Sequence, residues 1–109
     1  MTINSIILNA LKDVGVPVSF QTYSGSAPTY ITFFEYNQYP NLVADDEEVR
    51  TNHSIQVDIW SNGNYFALAD KVKAALKAVD FVRTFETDLY ENETKTYHKV
   101  MRFIFVKEE

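Results

Sequence analysis

The sequence predicts an α+β fold: a mostly antiparallel sheet of about five strands packed by two helices, in the order α-β-β-β-α-β-β. Three observations lead there. Two stretches repeat apolar residues every 3.6 positions, as one-sided helices do, and five alternate with a period of two, as half-buried strands do. The 109 residues, 46% hydrophobic and 15% aromatic, match one compact core, so residues 1–109 read as a single domain.

The first helix starts at Ile3, with Ile6, Ile7, Ala10, Leu11 and Val14 on its stripe. Thr2 is placed to cap it, and Gly15 and Pro17 stop it. Strands follow at 18–23 and 30–36, separated by the small-residue turn Ser24-Gly25-Ser26-Ala27-Pro28. Residues 38–48 read as an irregular excursion that carries Pro40 and an acidic run. The strand at 50–60 alternates cleanly: Ile55, Val57 and Ile59 face one way, and Ser54, Gln56, Asp58 and Trp60 the other. Tyr65, Leu68, Ala69, Val72, Leu76 and Val79 then form the stripe of a second helix, capped by Asn64 or Ser61, with Asp70, Lys71, Lys73 and Lys77 largely on its wet side. Two last strands, 82–90 and 97–107, form a hairpin around Glu91-Asn92-Glu93-Thr94.

Composition excludes much chemistry. With no cysteine there is no disulfide framework, thiol nucleophile or Cys-based metal centre. Three glycines build neither a phosphate loop nor a nucleophile elbow. The two histidines, His53 and His98, lie on different strands without metal-ligand spacing. No cofactor and no metal are expected. The N-terminus lacks a signal-peptide pattern and no apolar run approaches a membrane span, so synthesis in the cytoplasm and no membrane contact are expected.

The net charge is -5, and it is uneven: the first 50 residues carry two bases and six acids. Four of those acids are consecutive, Asp45, Asp46, Glu47 and Glu48, and they fail the calcium-loop pattern. A solvated loop is the plain reading of such a run, and an electrostatic partner site the alternative. The acidity also disfavours direct nucleic-acid binding, because stacking platforms come with basic grooves. The aromatic cluster of Phe33, Phe34, Tyr36 and Tyr39 therefore reads as core on one face and protein contact on the other. Trp60 either anchors an interface or lies beneath a helix as core, and the pattern leaves both open.

The stretch Gln56-Val57-Asp58-Ile59-Trp60-Ser61 followed by Asn64-Tyr65 carries a family resemblance. So do Tyr30-Ile31-Thr32-Phe33 and Ala44-Asp45-Asp46-Glu47 upstream, and Asp88-Leu89-Tyr90-Glu91 and Tyr97-His98-Lys99 downstream. Over residues 3 to 106 the chain resembles the tail-completion proteins of long-tailed phages and of prophages in low-GC Gram-positive bacteria, also called tail terminators or tail-to-head joining proteins. The resemblance implies a non-enzymatic virion component. It implies a ring, usually a hexamer, that caps the tail tube and meets the head connector, with the tail-tube protein, the connector protein and further copies of itself as partners. On that reading Trp60, Phe34, Tyr36 and Tyr39 are interface candidates. Asp45 to Glu48 form an electrostatic loop that faces the tube or its lumen and repels passing DNA. A connector stopper on the head side is the alternative from the same context. A small metal-dependent hydrolase or nuclease using Asp45, Asp46, Asp58 or His98 is the alternative from another class.

Overall fold

The computed structural model describes residues 2–45 and 47–108, and its elements follow the expected order. Helix α1 (Ile3–Ala10) begins at Thr2, whose side chain accepts the Ser5 N–H at 3.1 Å. The helix is shorter than its stripe. Its end tightens into three-residue bonds, Lys12 to Asn9 and Val14 to Leu11, so Leu11 and Val14 are buried from the turn that follows, and Gly15 takes φ 92°.

The five strands are β1 (Val18–Phe20), β2 (Thr29–Ala44), β3 (Glu47–Ser61), β4 (Val82–Glu91) and β5 (Thr96–Glu108), lying in the order β1-β2-β3-β5-β4. All neighbours are antiparallel except β1 and β2, which pair parallel over Ile31 to Phe33. Parallel neighbours normally need a helical crossover. Here β1 is only three residues long, about 10 Å, so the loop from Gln21 to Pro28 spans the return without one. The first strand is therefore shorter than expected: Gln21 at φ 63° turns the chain away while its N–H still reaches the Phe33 carbonyl. In that loop Tyr23 stacks on Tyr30 and accepts the Ala27 N–H on its hydroxyl. A Cβ on Gly25 would lie 2.2 Å from that hydroxyl, so any other residue there would push the Tyr23 ring out of place.

Helix α2 (Phe66–Lys77) lies on the same sheet face as α1. Ile7 and Leu11 from the first helical segment and Ala69, Val72 and Leu76 from α2 join Ile31, Phe33, Ile55, Val57, Ile59, Met101 and Phe103 in one buried cluster. Each fully buried aliphatic or Phe side chain there contributes about 1.5–3 kcal/mol. Neither expected cap has quite its expected role. Tyr65 is the cap residue, Asn64 accepts the Phe66 N–H from one position earlier, and Ser61 bonds Thr29 and Gly63 instead. At the far end Phe81 N–H bonds Leu76 O and Asp80 N–H bonds Lys77 O, with Asp80 at φ 70°, closing the helix in a left-handed turn.

An ionic group centred on the buried Lys99, its partners Glu86 and Asp88 partly open to water, ties α2 to the last hairpin. Lys99 lies 3.3 Å from both Glu86 and Asp88, Lys73 of α2 lies 3.4 Å from Glu86, and the Tyr65 hydroxyl donates to Asp88 at 2.6 Å.

The expected excursion at 38–48 is a correction. These residues continue β2 and β3 into one long hairpin, paired from Thr29–Ser61 out to Ala44–Glu47 and turning at Asp45, φ 53°. Strand alternation is lost to the eye because bulges shift the register between Glu35 and Asn37 and again around Leu42. Pro40 is tolerated because β1 covers only Ile31 to Phe33, so the outer edge of β2 is open beyond them. The hairpin arm makes the molecule long. Its extents are 52 × 26 × 24 Å and its radius of gyration is 15.0 Å, against about 13 Å for a compact chain of this length. Among the described residues no helix is long and apolar enough to cross a membrane.

The open sheet face as candidate interface

Strand alternation puts every second side chain of β2, β3, β4 and β5 on the face opposite the two helices, and no described element covers it. Phe34, Tyr36, Tyr39 and Trp60 all belong to this face. Phe34 pairs across from Gln56, Tyr30 from Trp60 and Tyr39 from Asn52, and the bulge after Glu35 turns Tyr36 to the same side, over Arg102. Phe33, by contrast, is fully buried under the helices. Of the two readings left open for Trp60, burial beneath a helix is thus removed.

The face is organised around a row of stacked rings and a chain of hydrogen-bonded polar side chains. Trp60 stacks on His98 with ring centroids 3.7 Å apart, and on its other side follow Tyr30 at 6.3 Å and then Tyr23. The indole N–H donates to Thr32 Oγ1 at 3.1 Å. Beneath this row lies Asp58, 3% exposed, which accepts from His98 Nε2 at 2.7 Å and from Gln56 at 3.0 Å; Gln56 in turn accepts from Arg102 Nε at 3.1 Å. The Arg102 guanidinium sits over two rings, Tyr36 at 5.0 Å and Phe85 at 5.3 Å. Nearby Phe85, Leu89 and Val82 are 46%, 49% and 63% exposed, so the strip along β4 presents apolar surface to water.

Register explains why this network escapes a linear reading: Trp60 pairs with His98 across β3 and β5, although the histidine partners an aspartate 40 positions away. His53 lies elsewhere, on the helix-side face of the arm's root, hydrogen-bonded to Glu35 and joining β2 to β3.

The acidic run occupies the arm's tip. Asp45 forms the turn and is exposed, Glu47 and Glu48 open β3 and are exposed, and Glu48 accepts from Thr51 at 2.6 Å. Asp46 lies outside the described residues. Eleven positions of β3 separate Glu47 from Asp58, roughly 36 Å at about 3.3 Å each, so the acids proposed for a hydrolase do not meet in one place. Among the described residues no three His, Asp or Glu side chains converge to hold a metal ion.

The fold thus defines a two-layer α+β domain with one sheet face packed and the other open and aromatic. Residues 9–108 match the family model described as tail completion protein gp17, and the chain belongs to that family of phage tail structural proteins. A solved structure described as the virion of native gene transfer agent (GTA) particle contains a chain of similar fold, with a TM-score of 0.69 over 98% of this chain and 95% of that one. The two are 14% identical, and the likeness is one of fold. A search of curated proteins finds no match.

Proposed function

We propose that this protein closes the end of the phage tail tube as a ring of copies, a hexamer, and joins the tail to the head connector without catalysing a reaction. The observation that carries this reading is the family match across residues 9–108. The open face supports it. A sheet whose one side shows Phe34, Tyr36, Tyr39 and Trp60, with Phe85 and Leu89 beside them, has the aromatic and arginine character of protein interfaces. In this role the chain is made in the host cytoplasm and resides in the neck of the virion, against the tail-tube protein on one side and the connector protein on the other. One small domain suffices, because the working object is the ring.

Electron microscopy of particles made without this protein tests the reading. Overlong or unjoined tails beside filled heads are expected. Leaking, empty heads would instead place the protein on the connector as a stopper, and normal virions would overturn both.

A further inference from the structure

On the helix side of the sheet, between the last turns of α2 and the start of β4, lies a pit of about 400 Å³. Its floor is the buried Phe81 and Phe103, Val82 borders it from the strand edge, and three cations, Lys73, Lys77 and Arg83, line it as well. One carboxylate, Glu86, serves two of them, at 2.8 Å from Arg83 and 3.4 Å from Lys73; Asp70, largely exposed, lies 3.8 Å from Lys73. Lys77 makes no ion pair among the described residues. In a chain of net charge -5 this is a local excess of positive charge around an apolar floor, suited to a carboxylate-bearing segment.

We propose that the acidic tip of the β2–β3 arm of one copy docks into this pit on the next copy. The tip offers complementary charge: Asp45, Glu47 and Glu48 are exposed, and the nearest base along the strand, Arg50, is already held by Glu108 at 2.8 Å. The tip cannot reach its own pit. Val82 lies across from Ile104, which lies across from Ser54, so the pit sits level with Ser54, seven positions or roughly 23 Å along β3 from Glu47. The arm between them is braced by ladder bonds and by Asn41 donating to Asn52 at 3.2 Å, so it projects away. Tip and pit are different surfaces at different places. Their contact is head to tail, the kind that closes into a ring when the rotation allows. The other hairpin tip, with Glu91 and Glu93 beside Lys95, lies at the opposite end and carries half the run of acids. The carboxylates of the arm then serve subunit contact, and the repulsion of DNA from a lumen becomes the competing role.

The proposal rests on the ring reading, and the experiment separates the two. Three purified full-length variants are compared with the natural chain by sedimentation velocity, alone and with purified tail tubes: Glu47→Lys with Glu48→Lys, Lys77→Glu with Arg83→Glu, and the control Glu91→Lys with Glu93→Lys. Circular dichroism checks that each is folded. Tip and pit variants are each expected to lose self-association by at least about tenfold, a mixture of the two to recover it through alternating opposite charges, and the control to assemble normally. Association of the natural chain is expected to weaken as NaCl rises to about 0.5 M, where screening shortens to a few ångströms. Normal assembly of the tip variant, or failure of the mixture to recover, overturns the docking and leaves the ring standing. Normal assembly joined to slowed DNA ejection assigns the acids to the lumen and overturns it likewise. A natural chain that stays monomeric with and without tubes overturns the ring and the docking together.

Discussion

Trp60 lies flat on His98, their planes 13° from parallel, while the same imidazole donates to Asp58 below it. The aspartate is thereby sealed under an aromatic lid on a face that no helix covers. Replacing Asp58 by alanine removes an acceptor from both His98 and Gln56, and the expected cost is about 1–3 kcal/mol in urea unfolding. Asp58→Asn keeps one acceptor and is expected to recover part of it. A loss below about 0.5 kcal/mol for the alanine variant would contradict this structural role.

Tyr36 and Phe85 both lend their rings to Arg102 and are both nearly half exposed. Truncating either to alanine is expected to change the stability of the single subunit by less than about 1 kcal/mol. The same changes are expected to weaken assembly by about 2 kcal/mol, or roughly thirtyfold. Parallel urea and sedimentation measurements read the two quantities separately.

Acid is expected to loosen the seam between α2 and the last hairpin. Burial pushes the Glu86 carboxyl up, but Lys99, Lys73 and Arg83 outweigh it and hold it below the ordinary range. The Tyr65 hydroxyl lowers Asp88, burial opposes, and Lys99 adds to the lowering. Groups depressed in the folded state stabilise above their unfolded pKa, near about 4, and that contribution drains away as pH falls through the lower folded values. The urea midpoint should therefore drop on acidification below about pH 4, and Glu86→Gln with Asp88→Asn should flatten the fall. Tyr65 behaves oppositely. Burial, then Asp88, pushes its hydroxyl up to about 12, so its contribution holds below about pH 10 and is lost as pH rises from there.

Asp80 occupies, at φ 70°, the left-handed position that closes α2, which glycine adopts without strain. Asp80→Gly is expected to raise stability by about 0.5–1 kcal/mol, seen as a thermal midpoint a few degrees higher. An unchanged or lower midpoint would show that the Asp80 side chain compensates for its backbone.

The helices and the inner strands were legible because one buried face writes its period directly into the chain: Ile55, Val57 and Ile59 name their side, and so do Val72 and Leu76. The arm was not legible, because Asn37 pairs with Ser54 and Gln38 with His53, on opposite faces, and Asn41 bonds Asn52 at a bulge, so polar residues occupy both sides of the ladder. The parallel pairing of β1 depends on a loop pinned by Tyr23, which no periodicity announces. For the interface, the type of residue was readable and the grouping only partly so. Trp60 is visibly opposite the core, but its stacking on His98 and the pairing of Asp58 with that histidine come from strand register, and the cationic pit from residues on α2, β4 and β5.

The open outer edge of β2 carries a hazard of its own. Beyond Phe33 its backbone donors and acceptors have no strand beside them among the described residues, and bare edges of this kind can zip together into fibres when copies crowd. Pro40 removes one donor from the row, and the irregular register on either side of it breaks the straight spacing that a second edge needs to match. The flank of the arm is therefore a poor template for a second strand, and the chemistry the arm presents outward is that of its side chains.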